Sequence, residues 1–327
     1  MRVLVVEYVT GGGLAGQPLP HILADAAIIR QAHLGDLAAL RGVDLLTLTD
    51  ARLPDDVGIA ALRVEAGDFD ATFARGLAWA DAAWVTAPET GGVLEALACL
   101  VVGSGLRWLG CAPAAVRLAA SKRATAQQLA AAGLPTIPTQ TVAHAVCAAA
   151  VVVKPDDGAG CEATRCFAAP DAAARWAAAT LGPRAVFQPL VPGEPLSLSL
   201  LCADGDARLL AVNRQWLHRR DGAFGLAGVS VNALADADGA FARLARRIAA
   251  AIPGLWGHVG VDLIATTEGP VVVEVNPRAT VSYAGLRHAP GINPARMLLD
   301  LARGEWPAPL PRGTEITLDL DHAATTA

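Results

Sequence analysis

Residues Glu268 to Leu286 read EGPVVVEVNPRATVSYAGL, and the glutamate inside the valine run decides how this chain is read. A buried carboxylate is costly unless it is paired or bound to a cation, so Glu274 needs a partner. The stretch just upstream supplies one. GVDLIATTEGPVVVEVN, residues 260–276, holds two apolar runs separated by polar, Gly and Pro residues, a hairpin pattern. A turn centred on Glu268 sets Asp262 directly opposite Glu274, where like charges repel. Asn276 shares that face, because side chains alternate along a strand. Two carboxylates and an amide oxygen from adjacent strands form a hard, all-oxygen set suited to Mg²⁺, with Mn²⁺ as a second cation such a set accepts. For these residues alone, a solvated hairpin face with incidental acids is the competing reading.

Two more segments add charge of the opposite sign. VVVKPDDGAGCEATRCF, from Val151 to Phe167, ends an apolar strand at Lys154 and continues into a loop containing Gly158 and Gly160. Such a loop lets backbone N–H groups approach phosphate oxygens while the lysine supplies a point charge. Lys122, in RLAASKRATAQQLAAAGLPTIPT, opens a helix ahead of the same sheet. Either lysine alone reads equally well as a solvated surface charge.

The rest of the chain sets the frame. RVLVVEYV, VDLLTLT and AAWVTA read as short strands separated by helical patterns at Ala24–Leu40 and Gly92–Val102, which implies a parallel α/β lobe over about the first 110 residues. A helix is expected from Pro113 to Ala132, ending at Gly133 before the prolines of LPTIPT. AVVVK, RAVFQPLV, SLSLLCA and ARLLAVNRQ then read as antiparallel sheet. The 327 residues are 53% hydrophobic and 17% charged, enough to bury a large core in two or three lobes. A net charge of -5 and a pI near 5.8 give no broad basic surface for nucleic acid.

The mean hydropathy of +0.40 is spread over alanine-rich helices. The longest apolar stretch, VAHAVCAAAVVV, contains a histidine and is too short to span a bilayer. Glu7 interrupts the N-terminal apolar run where a signal peptide would need it unbroken, so the chain reads as cytoplasmic with no membrane partner. Cys99, Cys111, Cys147, Cys161, Cys166 and Cys202 form no CxxC pair and read as small hydrophobes.

Taken in order, SK with its helix and GLPTIP, VVVKP with its glycine loop, FQPLVPGEPLSLSLL, GVDLI and EVNPR resemble the ATP-grasp superfamily from about Cys111 to Leu301. That resemblance implies an α/β architecture in which a Rossmann-like pre-ATP-grasp lobe (1–112) precedes an ATP-grasp fold (113–327) with a lid subdomain at about 122–190 and a metal-site subdomain at about 191–305. It implies ATP held by Lys122 and Lys154, with Gly158 and Gly160 in a lid, Asp156 to Cys161, over the phosphates. Adenine would lie against Gln188, Leu190 and Val191, and Glu194 would reach the ribose. Asp262, Glu274 and Asn276 match the Mg²⁺ ligands, and Arg278, with Lys154, the groups acting on the transferred phosphoryl. The family often places an acidic residue or Lys after the first hinge residue; here Pro189 follows Gln188, and proline offers no N–H.

MRVLVVEYVTGGGLAGQPLP, KPDDGAGCE and NPRATVSYAGL narrow the resemblance to carboxylate–amine ligases of the tyramine–glutamate ligase group, from methanofuran biosynthesis and its methylotroph relatives. It implies a small-molecule carboxylate and amine joined through an acyl phosphate. A nucleotide-sensing scaffold and a phosphotransferase are the alternative classes, and a homodimer is left open. VTGGGLAG carries G-x-G-x-x-G spacing after a strand, but QPLP follows and no helix opens at the third glycine, against a dinucleotide fingerprint; the loop is expected instead to border the second-substrate site. Glu7, Tyr8, Ser282, Tyr283, Arg287, His288 and His258 are the remaining candidates for contact with substrate.

Overall fold

The computed structural model describes residues 1–146, 148–158, 160–307 and 313–320; Cys147, Ala159 of the glycine loop and the C-terminal AATTA lie outside the described residues. In chain order, the first part comprises β1 (Arg2–Glu7), α1 (Leu23–Ala38), β2 (Asp44–Asp50), β3 (Ala60–Val64), α2 (Phe69–Trp79), β4 (Ala82–Thr86), α3 (Val93–Gly103) and β5 (Arg107–Trp108). Its five strands form one parallel sheet in the order β3-β2-β1-β4-β5. β1 lies at its centre, and Val3 to Val6 are fully buried, as a strand covered on both faces requires. β3 and α2 were not legible in the sequence. α2 contains Gly76, which propensity reads as a breaker, yet a Cβ there would lie 2.9 Å from Leu4 Cδ1, so the helix packs close to β1 because the glycine is small.

The second part begins with α4 (Pro113–Ala120) and α5 (Lys122–Ala131), where a single helix was expected. Ser121 breaks it: its backbone is extended, and its hydroxyl accepts from the Ala124 amide as the N-cap of α5, offsetting an orphan donor of the new helix. Then follow β6 (Val151–Pro155), β7 (Arg165–Phe167), α6 (Pro170–Thr180), β8 (Ala185–Pro189), β9 (Glu194–Ala203), β10 (Asp206–Arg220), β11 (Ala223–Leu234), α7 (Ala240–Ala251), β12 (Gly257–Thr266), β13 (Gly269–Asn276), α8 (Tyr283–Leu286), α9 (Pro294–Leu301) and β14 (Ile316–Asp319). The strands join in one sheet, β13-β12-β9-β10-β11-β7-β6-β8, with β14 on β11. The long β10–β11 hairpin turns at Asp221 and Gly222, both at positive φ (50° and 83°), the backbone that a two-residue hairpin with native twist demands. On β9, alternate residues Leu196, Leu198 and Leu200 share a core with Leu244 and Ile248 of α7. Among the described residues no helix is long and apolar enough to cross a membrane.

The two parts are joined by an aromatic cluster. His33 of α1 stacks on Trp84 of β4 at 3.9 Å between ring centroids, and Tyr283 of α8 meets His33 and His258 of β12 edge-on at 4.6 and 4.9 Å. Among the described residues neither His33 ring nitrogen has a hydrogen-bond partner, while His258 Nε2 lies 3.0 Å from the Pro294 carbonyl. His258 is thus a satisfied core histidine. Burial holds both imidazoles neutral, with His33 well below its usual value and His258 lowered to about 4. A histidine depressed in the fold stabilises fully above its unfolded value near 6.5 and loses that contribution as pH falls towards 4. Equilibrium unfolding is therefore expected to show stability dropping between pH 6.5 and 4 by about 3 kcal/mol from His258 alone. In His258→Phe that part of the slope should disappear, and an unchanged slope would show that His258 does not carry it.

Candidate active site

The hairpin places its acids as the pattern requires, by a route the pattern did not contain. β12 and β13 pair with Thr266 opposite Gly269 at the turn, and a bulge between Leu263–Val272 and Asp262–Glu274 inserts Val273 as an extra residue. A bulge shifts the alternation by one. Val272 and Val275 consequently both enter the core, while Val273 and Glu274 together face a cavity of about 470 Å³.

Around that cavity the charges are close. Lys122 Nζ lies 3.3 Å and Lys154 Nζ 3.9 Å from Glu274 Oε2, with both lysine side chains under 10% exposed. Lys122 also donates to the Gly158 carbonyl at 2.5 Å. Asp262 accepts from Gln215 Nε2 at 2.9 Å and from Asn276 Nδ2 at 3.2 Å. Burial, with the Glu274 charge opposite, pushes the Asp262 carboxyl well above the usual range, whereas Lys122 and Lys154 outweigh burial at Glu274 and hold it low. Burial lowers the Lys154 ammonium, and Glu274 works in the other direction. The acid pair repels itself, and Asn276 adds an amide beside it, so the chemistry of these donors fits a hard divalent cation. No group of three or more His, Cys, Asp or Glu suited to a metal occurs among the described residues; the cation site rests on two carboxylates and an amide.

Lys122 stands first in α5, at the positive helix end, where a cation is unfavourable unless an anion is near. That anion is Glu274, at 3.3 Å, and the loop after β6 adds Asp156 at the helix start, where it accepts from the Ser121 hydroxyl at 2.6 Å and the Arg123 amide at 2.8 Å. Gly158 and Gly160 both line the cavity. So does Cys161, whose thiol is pushed up to about 12 by burial together with Glu274 and Asp262, which leaves it inert as a nucleophile.

The hinge after β8 also reaches the wall, through Gln188, Leu190 and Val191. Gln188 donates its side-chain amide to Thr139 Oγ1 at 2.8 Å, and the Leu190 amide donates to the Ala150 carbonyl at 3.0 Å. Glu194 is not brought into the wall, although Gly193 and Pro195 are; its carboxylate accepts from Arg214 Nε at 2.5 Å.

Arg278 lines the cavity and makes a two-pronged pair with Glu89, Nε to Oε1 at 2.9 Å and Nη2 to Oε2 at 3.0 Å. Sequence reading found neither Glu89 nor Gln215. Glu89 follows β4, at the carboxyl end of a parallel sheet, where such sheets hold ligands; that position was its one signal. Glu7, also at a strand end, lines the cavity but turns its carboxylate onto the Val9 and Thr10 amides and the Thr10 hydroxyl. Tyr283 and Arg287 hold the buried Asp36 of α1 at 3.0 and 2.9 Å, a structural role, and Ser282 reaches the cavity wall. The glycines of VTGGGLAG stay outside the wall. A Cβ on Gly13 would lie 2.1 Å from the Tyr8 ring, so this connection is glycine-rich for close packing.

The site is a cleft between an α/β lobe and an antiparallel sheet, with two lysines facing the Glu274 carboxylate and Arg278 in the same wall. The chain belongs to the ATP-grasp family: the ATP-grasp domain family matches residues 119–282, and the pre ATP-grasp 3 domain family matches residues 43–116. Over 134 residues the chain is 31% identical to tyramine–L-glutamate ligase of Methanocaldococcus jannaschii, a match covering 41% of this chain and 41% of that protein. The chain thus matches less than half the length of that relative. Among solved structures it resembles an ATP-grasp superfamily protein of Archaeoglobus fulgidus, with a TM-score of 0.74, 17% identity, and 98% and 92% of the two chains covered. It also resembles L-amino acid ligase of Bacillus licheniformis, with a TM-score of 0.64, 16% identity, and 92% and 73% covered. At these identities the solved structures speak to the fold.

Proposed function

We propose that this protein is an ADP-forming carboxylate–amine ligase that joins glutamate, or a carboxylate like it, to tyramine, tyrosine or a similar amine. One observation carries the reading: Lys122 and Lys154 converge on Glu274, opposite Asp262, in the same cavity wall as Arg278. A carboxylate can attack a phosphoryl group only where cations offset two approaching anions. Lys122 and Lys154 bind the phosphates, and Arg278 faces the transferred group. Asp262, Glu274 and Asn276 would hold Mg²⁺, which supplies further charge neutralisation when bound. Gly158, Gly160 and Cys161 cover the site and keep the activated carboxylate from water until the amine arrives. Gln215 and Asn276 orient Asp262 by donating to its two oxygens. The chain needs no side-chain nucleophile for this chemistry, consistent with the inert Cys161 thiol. The partial likeness to tyramine–L-glutamate ligase supports the substrate pair.

The test is ADP release with MgATP and L-glutamate, with and without tyramine or tyrosine, and product mass. Release that needs both substrates and yields a glutamyl amide is expected, with Lys154→Ala reduced to background. A phosphorylated product without an amide would move the assignment to a phosphotransferase.

A further inference from the structure

The Arg278 guanidinium is held on more sides than an ion pair needs. Of its five N–H donors, Nε and one on Nη2 go to the two oxygens of Glu89, and one on Nη1 goes to the Ala279 carbonyl at 3.3 Å. Among the described residues one N–H on each terminal nitrogen is left over, and two such donors are what a phosphoryl or carboxylate anion takes from an arginine. Glu89 itself is 6% exposed and comes from the other lobe, 189 residues away in sequence. The turn that carries it is also anchored. The Thr90 hydroxyl donates to the Asp157 carbonyl and the Gly91 amide to the Asp157 carboxylate, both at 3.0 Å, and Arg184 pairs with that carboxylate at 2.8 Å. The Glu89 turn is therefore fixed against the segment that follows Lys154.

We propose that Glu89 is a positioning residue for Arg278: it grips one edge of the guanidinium and aims the two remaining donors at the reacting anion. The catalytic part of this inference rests on the ligase reading above. A free arginine side chain has many rotamers, and fixing one of them before substrate binds removes that ordering cost from the reaction. Glu89 contributes through geometry, because its own charge opposes anion binding.

Two measurements on the full-length protein test this. In the first, ¹⁵N-labelled protein is examined for the Arg278 Nε–H resonance, assigned by its loss in Arg278→Lys. Wild type is expected to show a slowly exchanging signal that Glu89→Gln averages away; a signal unchanged in Glu89→Gln overturns the positioning role. In the second, Glu89→Gln is expected to lower kcat about tenfold to a hundredfold while KM for MgATP stays within about threefold. Glu89→Asp, which keeps the charge on a shorter stem, should fall between. A purely structural pair would lower the melting temperature and leave kcat at low temperature unchanged, and that outcome also overturns the proposal. If wild type shows no ligase turnover, the function assignment fails while the resonance still decides whether Glu89 fixes Arg278.

Discussion

In Glu274→Ala, turnover of MgATP with both substrates is expected to fall by about a thousandfold or more, with no rescue by added Mg²⁺. Three interactions are lost with this carboxylate. It stands opposite Asp262 as half of the acid pair, and it is the anion that Lys122 and Lys154 face at 3.3 and 3.9 Å. Burial already pulls the Lys154 ammonium down, and Glu274 is the largest group opposing that. On the proposed function, removing it weakens the cation site and the phosphate clamp together, so the expected loss exceeds that of an ordinary single contact. Steady-state ADP release across a Mg²⁺ titration checks this. Turnover within threefold of wild type, with the same Mg²⁺ dependence, would sink both the metal assignment and the ligase mechanism built on it.

Arg278→Ala is expected to act on rate and on stability at once. An arginine facing a transferred phosphoryl group contributes about a thousandfold or more to kcat, and that is the loss expected here. The same substitution leaves Glu89, a side chain 7% exposed, without its counter-charge, and breaking a buried pair in this way costs about 3–5 kcal/mol. Denaturant unfolding alongside kinetics separates the two effects. Arg278→Lys should recover much of the stability but little of the rate, because an ammonium cannot offer the two-pronged edge that Glu89 engages together with a second fork for the anion. Retention of wild-type kcat in Arg278→Ala at a temperature where the protein is folded would remove Arg278 from the reaction.

These residues also show where reading the chain succeeds and where it stops. The opposition of Asp262 and Glu274 followed from two apolar runs and a turn, because a hairpin is local and its period is two. The actual turn sits half a residue earlier than the symmetric one, and the bulge at Val273 restores the pair; a run of three valines carries no mark of where a bulge falls. The break at Ser121 was hidden for a related reason. Alanine-rich sequence favours helix on both sides, and what stops it is an N-cap serine that donates to Asp156, a residue 35 positions away.

From the sequence alone came the parallel lobe ahead of an antiparallel sheet and the opposition of Asp262 and Glu274; the phosphate role of Lys122 and Lys154 came from the family resemblance, and the cation set remains the proposed one. The lobe, the sheet and the acid pair rest on periodicity and on short spacings that hold wherever the segment lies in space. Only the tertiary structure decided that Glu194 pairs with Arg214 outside the wall, that Leu190 spends its amide on Ala150, and that Glu89 takes hold of Arg278 across 189 residues. Such pairings depend on which segments the fold brings together, and for Glu89 and Arg278, both largely buried, charge taken from water has to find a partner. A one-dimensional pattern does not contain that partner.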